Sequence, residues 1–344
     1  MIRKVLAAFL LLVAAAILLV AVWPELFGLQ SAPIVAQVVS LRGLDVAIAI
    51  GLMVVFGLIS IGWRGARRFF GSLIVLLLVF CLLSLAILAS RGFGGSSTSA
   101  ASASSAAKST SDITVLSWNT QGDGPGAGEI ARVAVAEHAD VVTLPETTLA
   151  TGVDVATLMK AAGRPMWVYS GTLGNVYQSH STTLLISAAL GKYTVDTHEG
   201  DTSVLASIIA RPDSGTGPTI VAVHAVSPKP DEMLNWRSDL AFLAKRCSGS
   251  NLIMAGDFNS TLDELEALST KAGADFGQCY DAGYASKSAA IGSWPTSLPP
   301  LLGAQIDHVM YTSAWRTVSM KVVQNEDQAG SDHRPIVAVL APSK

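Results

Sequence analysis

The spacing of apolar positions divides the chain into three parts. Residues 5–22, 46–63 and 69–89 are nearly unbroken apolar runs, and the first carries no charge at all. Each reaches the roughly 18 residues that a helix needs to cross a bilayer. Arg3-Lys4 ahead of an apolar run also fits a cleaved leader, but the run is long for one and two more follow, so an uncleaved first helix is the better reading. Residues 94–111 then hold almost only Gly, Ser, Ala and Thr, a composition that cannot bury a core. As a flexible tether these residues span about 20–25 Å.

From Asp112 onward the pattern changes again, to short apolar runs alternating with helical periodicity and Gly/Pro/Ser loops. Strands are predicted at 113–118, 141–145, 182–187, 204–210, 220–224, 252–255, 305–311 and 335–340, and helices at 129–138, 237–246 and 262–272. Many strands with interspersed helices over some 230 residues predict an α+β fold, a four-layer sandwich of two packed mixed sheets flanked by helices. The domain plan is a three-helix transmembrane anchor over 1–90, a linker over 91–111 and a folded domain over 112–344.

Composition sharpens this picture. A hydrophobic fraction of 50% with only 14% charged residues is too apolar for a purely soluble chain, and the excess lies at the front. Lys and Arg are retained on the cytoplasmic side of a membrane. Arg3 and Lys4 precede the first span, and Arg64, Arg67 and Arg68 join the second to the third; the opposite ends carry only Arg42 and Arg91. The amino terminus is therefore predicted in the cytoplasm and everything after residue 90 outside. Residues 1–111 hold eight of the 23 basic and two of the 26 acidic residues, which leaves the remainder at a net charge of about −9. Such a domain does not attract polyanions by its general field. A phosphate substrate would need a local positive feature, such as a bound divalent ion. Cys81 falls in the third span, whereas Cys247 and Cys279 lie where a disulfide is permitted, although two cysteines do not fix a pairing.

The candidate chemistry sits at strand ends. The apolar run 251–255 stops at Gly256-Asp257-Phe258-Asn259, and on an extended chain Asp257 and Asn259 project to one side while Phe258 points the other way. A carboxylate beside a carboxamide suits a hard cation, an attacking water, or both. Other predicted strands end alike, in Asn119, Glu146 and His224, while Asp307 begins an apolar run and Asp332-His333 precede the last one. Singly, each has a plain structural reading: Asn119 as a turn cap, Glu146 as a solvated acid, His224 as a core histidine, Asp307 as a loop anchor. Together they are hard to read as accident.

Ser117-Trp-Asn119, Pro145-Glu146, Val223-His224, Gly256-Asp-Phe-Asn259, Ile306-Asp-His308 and Ser331-Asp-His-Arg-Pro335, in this order, resemble the motifs of the endonuclease/exonuclease/phosphatase superfamily. That superfamily includes the pancreatic-type DNases, AP endonucleases, neutral sphingomyelinases and inositol polyphosphate 5-phosphatases. The resemblance implies that Glu146, assisted by Asn119 and Asp332, holds Mg²⁺ or Mn²⁺. It implies further that Asp257 and Asn259 orient water and phosphoryl oxygens, that His224 donates to a phosphate oxygen, and that His333, held by Asp307, acts as base or charge stabiliser. Whether Asp257 or the His333/Asp307 pair takes the proton is left open by the motifs. Pro145 departs from the Gln common in the family, and His224 stands where AP endonucleases carry Asn. Trp294, ahead of Asp307, resembles an aromatic that in several members lines the pocket or packs.

Three spans, a short tether and an outward catalytic domain also resemble the membrane phosphohydrolases linked to glycopeptide resistance, and so imply a lipid-linked phosphate substrate. Competing readings are an extracellular nuclease acting on DNA or RNA, and an inactive binding or sensor module.

Overall fold

The structure, a computed structural model, describes residues 1–94, 109, 111–173 and 177–343. The tether read at 94–111 lies for most of its length outside the described residues. Three long helices, α1 (Ile2–Val22), α3 (Arg42–Gly62) and α4 (Arg67–Arg91), take up the three apolar runs. Each is long and apolar enough to cross a membrane. A short helix not predicted from the sequence, α2 (Val35–Ser40), lies in the connection between α1 and α3. Apolar side chains inside this bundle, Val22, Val46, Ala49, Leu77 and Phe80 among them, form a separate small core.

Twelve strands follow: β1 (Ile113–Ser117), β2 (Val141–Pro145), β3 (Met166–Thr172), β4 (Ser181–Ser187), β5 (Tyr193–Val195), β6 (Ile208–Pro212), β7 (Thr219–His224), β8 (Leu252–Asp257), β9 (Tyr280–Asp281), β10 (Asp307–Tyr311), β11 (Trp315–Val322) and β12 (Ile336–Pro342). They make two six-stranded mixed sheets, in the orders β11-β12-β1-β2-β4-β3 and β5-β6-β7-β8-β10-β9. The sheets pack face to face over Val115, Val141, Leu184, Ile220, Ile253 and Val309. Helices α5 (Gly126–Ala136) and α6 (Leu149–Ala161) cover the outer face of the first sheet, and α7 (Met233–Arg246) covers that of the second. This is the expected four-layer sandwich.

Some predicted elements differ in extent. The helix expected over 262–272 is only one turn of α-helix, α8 (Leu262–Leu265), followed by a 3-10 turn at Glu266–Leu268. Thr261 caps it in a capping box with Glu264, and Ser269 already has extended backbone. The strand expected from 204 starts at Ile208, because the Asp201 carboxylate accepts the N–H groups of Thr202 and Ser207 and holds that segment in a loop. Helix α6 was not predicted: its buried face is Gly152, Val155 and Met159, and a Cβ at Gly152 would come within 2.4 Å of Thr183 Cγ2. A close helix–sheet contact, rather than an apolar stripe, defines that helix. Cys247 and Cys279 are joined in a disulfide between the end of α7 and the segment before β9.

Candidate active site

Strand register assembles the site. β7 runs parallel to β8 with His224 opposite Asp257, and β8 runs antiparallel to β10 with Asp257 opposite Asp307. Cross-strand partners share a face of the sheet, so three neighbouring strands set out His224, Asp257 and Asp307 in a row. The backbones here run very close together: at Gly256 (φ 151°) a Cβ would lie 2.0 Å from Val223 O. Only glycine fits there. The first sheet supplies the opposing wall. β1 and β2 are parallel, and directly beyond their carboxyl ends come Asn119 and Glu146. Glu146 and Asn259 both have left-handed backbone, φ 56° and 47°, a conformation that non-glycine residues adopt at a cost.

The side chains converge. Asn119 Nδ2 donates to Glu146 Oε1 (3.2 Å) and to Asp257 Oδ2 (3.0 Å), while its Oδ1 accepts from the Gln121 N–H. Asn259 donates its backbone N–H to Asp257 Oδ1 and its Nδ2 to Asp257 Oδ2 and Ala225 O. His333 Nδ1 donates to Asp307 Oδ2 at 2.8 Å, and His333 Nε2 lies 3.8 Å from Asp257 Oδ2 and 4.0 Å from Asp332 Oδ1. His224 Nδ1 is 3.3 Å from the Thr182 hydroxyl, and its Nε2 points at Glu146 Oε1 from 4.0 Å. Asp332 is half-exposed and accepts the Trp294 indole N–H (3.0 Å). Trp294 thus acts on the site by holding this acid.

Burial sets the electrostatics. It raises the Glu146 carboxyl above the ordinary range, against the opposing hydrogen bond from Asn119 and the charge of His333. Burial also pushes Asp257 up to about 7, with His333 pulling it down and Asp307 adding to the rise. Burial alone would lower His333, but Asp307 and Asp257 outweigh it and carry it to about 10. His224, buried and near the positive His333, falls to about 3 and is neutral. The site therefore pairs an imidazolium with a neutral imidazole on opposite sides of Asp257.

A divalent ion suits this donor set. Carboxylate oxygens of Glu146, Asp257 and Asp332 and the Asn119 carboxamide are hard-cation ligand types. Two buried atoms in the site, His224 Nε2 and Asp307 Oδ1, have no hydrogen-bond partner, as expected where an ion or substrate completes the shell. One ligand atom each from Asp257, Asp307 and His333 also lie within 4.8 Å of one another and could hold a metal ion. That grouping differs from the ion-binding set Glu146, Asn119 and Asp332 read from the motifs, and the two sets meet at Asp257 through the Asn119 hydrogen bonds.

All eight residues singled out in the sequence thus meet at one end of the two sheets. Sequence reasoning missed the groups behind them. Ser293 Oγ accepts the N–H groups of Ile306 and Asp307 and fixes the start of β10. Arg334, fully buried, donates to Asp327 and to the carbonyls of Gly292, Pro295, Thr296 and Leu298, bracing the loop that carries Trp294. Arg334 follows His333 inside a quoted motif, and that was its only signal.

Comparison with known proteins agrees with this fold. No curated protein matches the chain. Among solved structures, an endonuclease/exonuclease/phosphatase from Beutenbergia cavernae superposes with a TM-score of 0.52 at 20% identity, covering 67% of this chain and 72% of its own. A humanized D. rerio TDP2 with 14 mutations gives 0.50 at 17% identity, covering 67% and 99%. At such identities these likenesses speak for the fold. The sequence profile of the Endonuclease/Exonuclease/phosphatase family matches residues 116–333, from the end of β1 to the histidine of the last motif. The chain belongs to the endonuclease/exonuclease/phosphatase family, and is with it a metal-dependent hydrolase of phosphoester bonds.

Proposed function

We propose that this enzyme is a membrane-tethered phosphohydrolase that cleaves a phosphoester or pyrophosphate bond of a lipid-linked substrate on the outer side of a membrane, using Mg²⁺ or Mn²⁺. The observation that carries this reading is the seat of the catalytic domain. It rests on the end of the helix bundle where α1 stops, α3 starts and α4 stops, away from Arg3, Lys4, Arg64, Arg67 and Arg68. Retention of those five cations in the cytoplasm leaves the domain outside. The Cys247–Cys279 disulfide is at home in such an oxidising compartment.

Glu146, with Asn119 and Asp332, would hold the ion, which when bound would neutralise phosphoryl charge and acidify water. Asp257 and Asn259 orient the attacking water. The Thr182 hydroxyl pairs with His224 Nδ1; with the hydroxyl as donor, the proton of this neutral ring lies on Nε2 and is offered to a phosphoryl oxygen. Asp307 holds the His333 ring with Nε2–H toward Asp257. The water's proton passes to the Asp257–His333–Asp307 constellation, treated as one unit because its members share charge at close range. Positioning and charge neutralisation are what phosphoryl transfer chiefly needs.

The substrate class follows from place and charge. An anchored site meets a bilayer substrate at high effective concentration. The domain's net charge of about −9 and its lack of a Lys/Arg stripe with interleaved aromatics disfavour long nucleic acid. The test compares kcat/KM of the full chain on a lipid pyrophosphate in micelles with that on duplex and single-stranded DNA at matched ionic strength. We expect the lipid to win by about tenfold or more, with all activity lost in EDTA and metal affinity weakened by Glu146→Gln. If DNA wins by a similar factor, a surface nuclease replaces this reading.

A further inference from the structure

Three segments that lead from the catalytic strands also touch the anchor. The first follows His224: Gln37 Nε2 donates to Pro228 O, and the Arg237 guanidinium donates to Ser31 O (2.7 Å). The second follows Asn259: Ser40 Oγ donates to Glu264 Oε1 (3.1 Å), and Asp263 receives two arginines. The third precedes Asp307: Gly94 N–H donates to Lys287 O, Ala289 N–H to Arg91 O and Ala290 N–H to Gly92 O, while Gly43 lies so close to Leu301 that a Cβ would overlap its carbonyl oxygen. The end of the second sheet that presents His224, Asp257 and Asp307 is therefore the end seated on the helices.

At the centre of that seat is a buried charge triad. Arg42 NH2 lies 2.5 Å and Arg91 NH1 2.8 Å from the Asp263 carboxylate, with all three side chains at most 10% exposed. Arg42 donates as well to Ala21 O and Val22 O, the free carbonyls that end α1. One side chain thus links two membrane helices to the catalytic domain. Buried ion pairs add little net stability, and their best-attested use is to fix one arrangement. Within the segments that meet at the seat, apolar side chains of both parts stand exposed: Ile34 at 77%, Leu234 at 78% and Leu301 at 52%. In water they would be a liability, whereas at the headgroup boundary of a bilayer they are suitably placed.

We infer that the anchor is a working part of the enzyme, in which Arg42 and Arg91 clamp Asp263 and hold the catalytic end of the sheet at the level of the lipid headgroups. This rests on the reading of the substrate as a membrane lipid phosphate. Arg42, Arg91 and Asp263 are positioning residues: they touch no reacting atom and act through the height and tilt of the site.

The test uses the full chain in proteoliposomes, with a lipid pyrophosphate in the bilayer and a water-soluble aryl phosphodiester as the second substrate. Asp263→Asn should lower kcat/KM on the bilayer substrate by about tenfold or more, as effective concentration is lost, and leave the soluble substrate within about twofold. Arg91→Gln, which leaves Arg42 on Asp263, should give the same split at smaller size if Asp263→Asn does not fold. Independently, Ser31→Cys with Arg237→Cys in a Cys81→Ala background should be joined by a short bismaleimide. That crosslink should fall with Asp263→Asn and, once formed, restore bilayer activity. Equal losses on both substrates, or no loss on either, overturn the clamp. A double-cysteine chain with Asp263 intact that ignores the lipid yet crosslinks overturns the substrate reading and leaves the clamp standing; one that cleaves the lipid and never crosslinks does the reverse.

Discussion

Neighbouring residues of β10 take part in two imidazole–carboxylate pairs of the same length and opposite character. Asp307 faces the cleft and receives His333 Nδ1 at 2.8 Å; His308 faces the outer side of the sheet and gives its Nδ1 to Asp281, also at 2.8 Å. In both, burial works against the ring's charge and the paired acid outweighs it, so both rings are raised above the ordinary histidine range. The second ring nitrogen separates them. His308 Nε2 donates to Ser260 O (2.9 Å) and its ring meets Phe258 edge-on at 5.5 Å, which leaves no atom free to act. His333 Nε2 faces the acids Asp257 and Asp332, at 3.8 and 4.0 Å. A His–Asp pair becomes a candidate for proton transfer through what its far nitrogen faces, not through the pair itself.

Alanine at each histidine gives the sharpest break. His333→Ala should lower kcat by about 10²–10⁴-fold, the size typical of a positioned proton-transfer group, and should also lower stability, because it leaves buried Asp307 without its partner. His308→Ala strands Asp281 as a buried lone charge and should cost about 3 kcal/mol or more of stability, with kcat of the folded fraction close to wild type. Steady-state rates and denaturant melts on both variants decide this. Loss of turnover in a stably folded His308→Ala would erase the distinction.

The eight strands predicted from the sequence, β1, β2, β4, β6, β7, β8, β10 and β12, are the inner strands of the two sheets, while β3, β5, β9 and β11 form their four edges. Inner strands are buried on both faces and read as continuous apolar runs. Edge strands such as β3 and β11 are half-exposed and mix polar with apolar residues, so they resemble loops in one dimension. Because the chemistry lies at the ends of inner strands, the candidate site was legible almost whole. The seat on the anchor was not, since Asp263 meets Arg42 and Arg91 from 221 and 172 residues away and no local pattern announces either contact.

Acidity sharpens the comparison on a smaller scale. In metal-free protein His333 binds its proton more tightly folded, at about 10, than unfolded, at about 6.5. Its contribution to stability is complete below the unfolded value and is lost as pH rises through about 10. Asp257, raised from 3.8 to about 7, adds a loss of the same sign at lower pH. His224, lowered to about 3, adds stability as pH rises to about 6.5 and offsets the Asp257 loss, so melting temperature in EDTA should fall chiefly as pH climbs from about 7 to 10. Asp307→Asn should flatten that fall, because it removes the leading cause of the His333 rise. A melting temperature that rises with pH over that window would contradict the assignment of a proton to His333.

The left-handed backbone at Glu146 means that the best-folded version of this protein is not the working one. A partly buried carboxylate forced to φ 56° carries about 1–3 kcal/mol of conformational strain on top of its desolvation. Asparagine tolerates that backbone better and brings no charge. Glu146→Asn should thus raise the melting temperature of the metal-free protein by a few degrees, roughly what 1 kcal/mol is worth in a domain of this size, and abolish turnover. A lower melting temperature would mean that the Asn119–Glu146 hydrogen bond outweighs the strain. Consensus-style stabilisation of this enzyme would run into the same conflict, because a position where the fold gains from change is one that the chemistry cannot release.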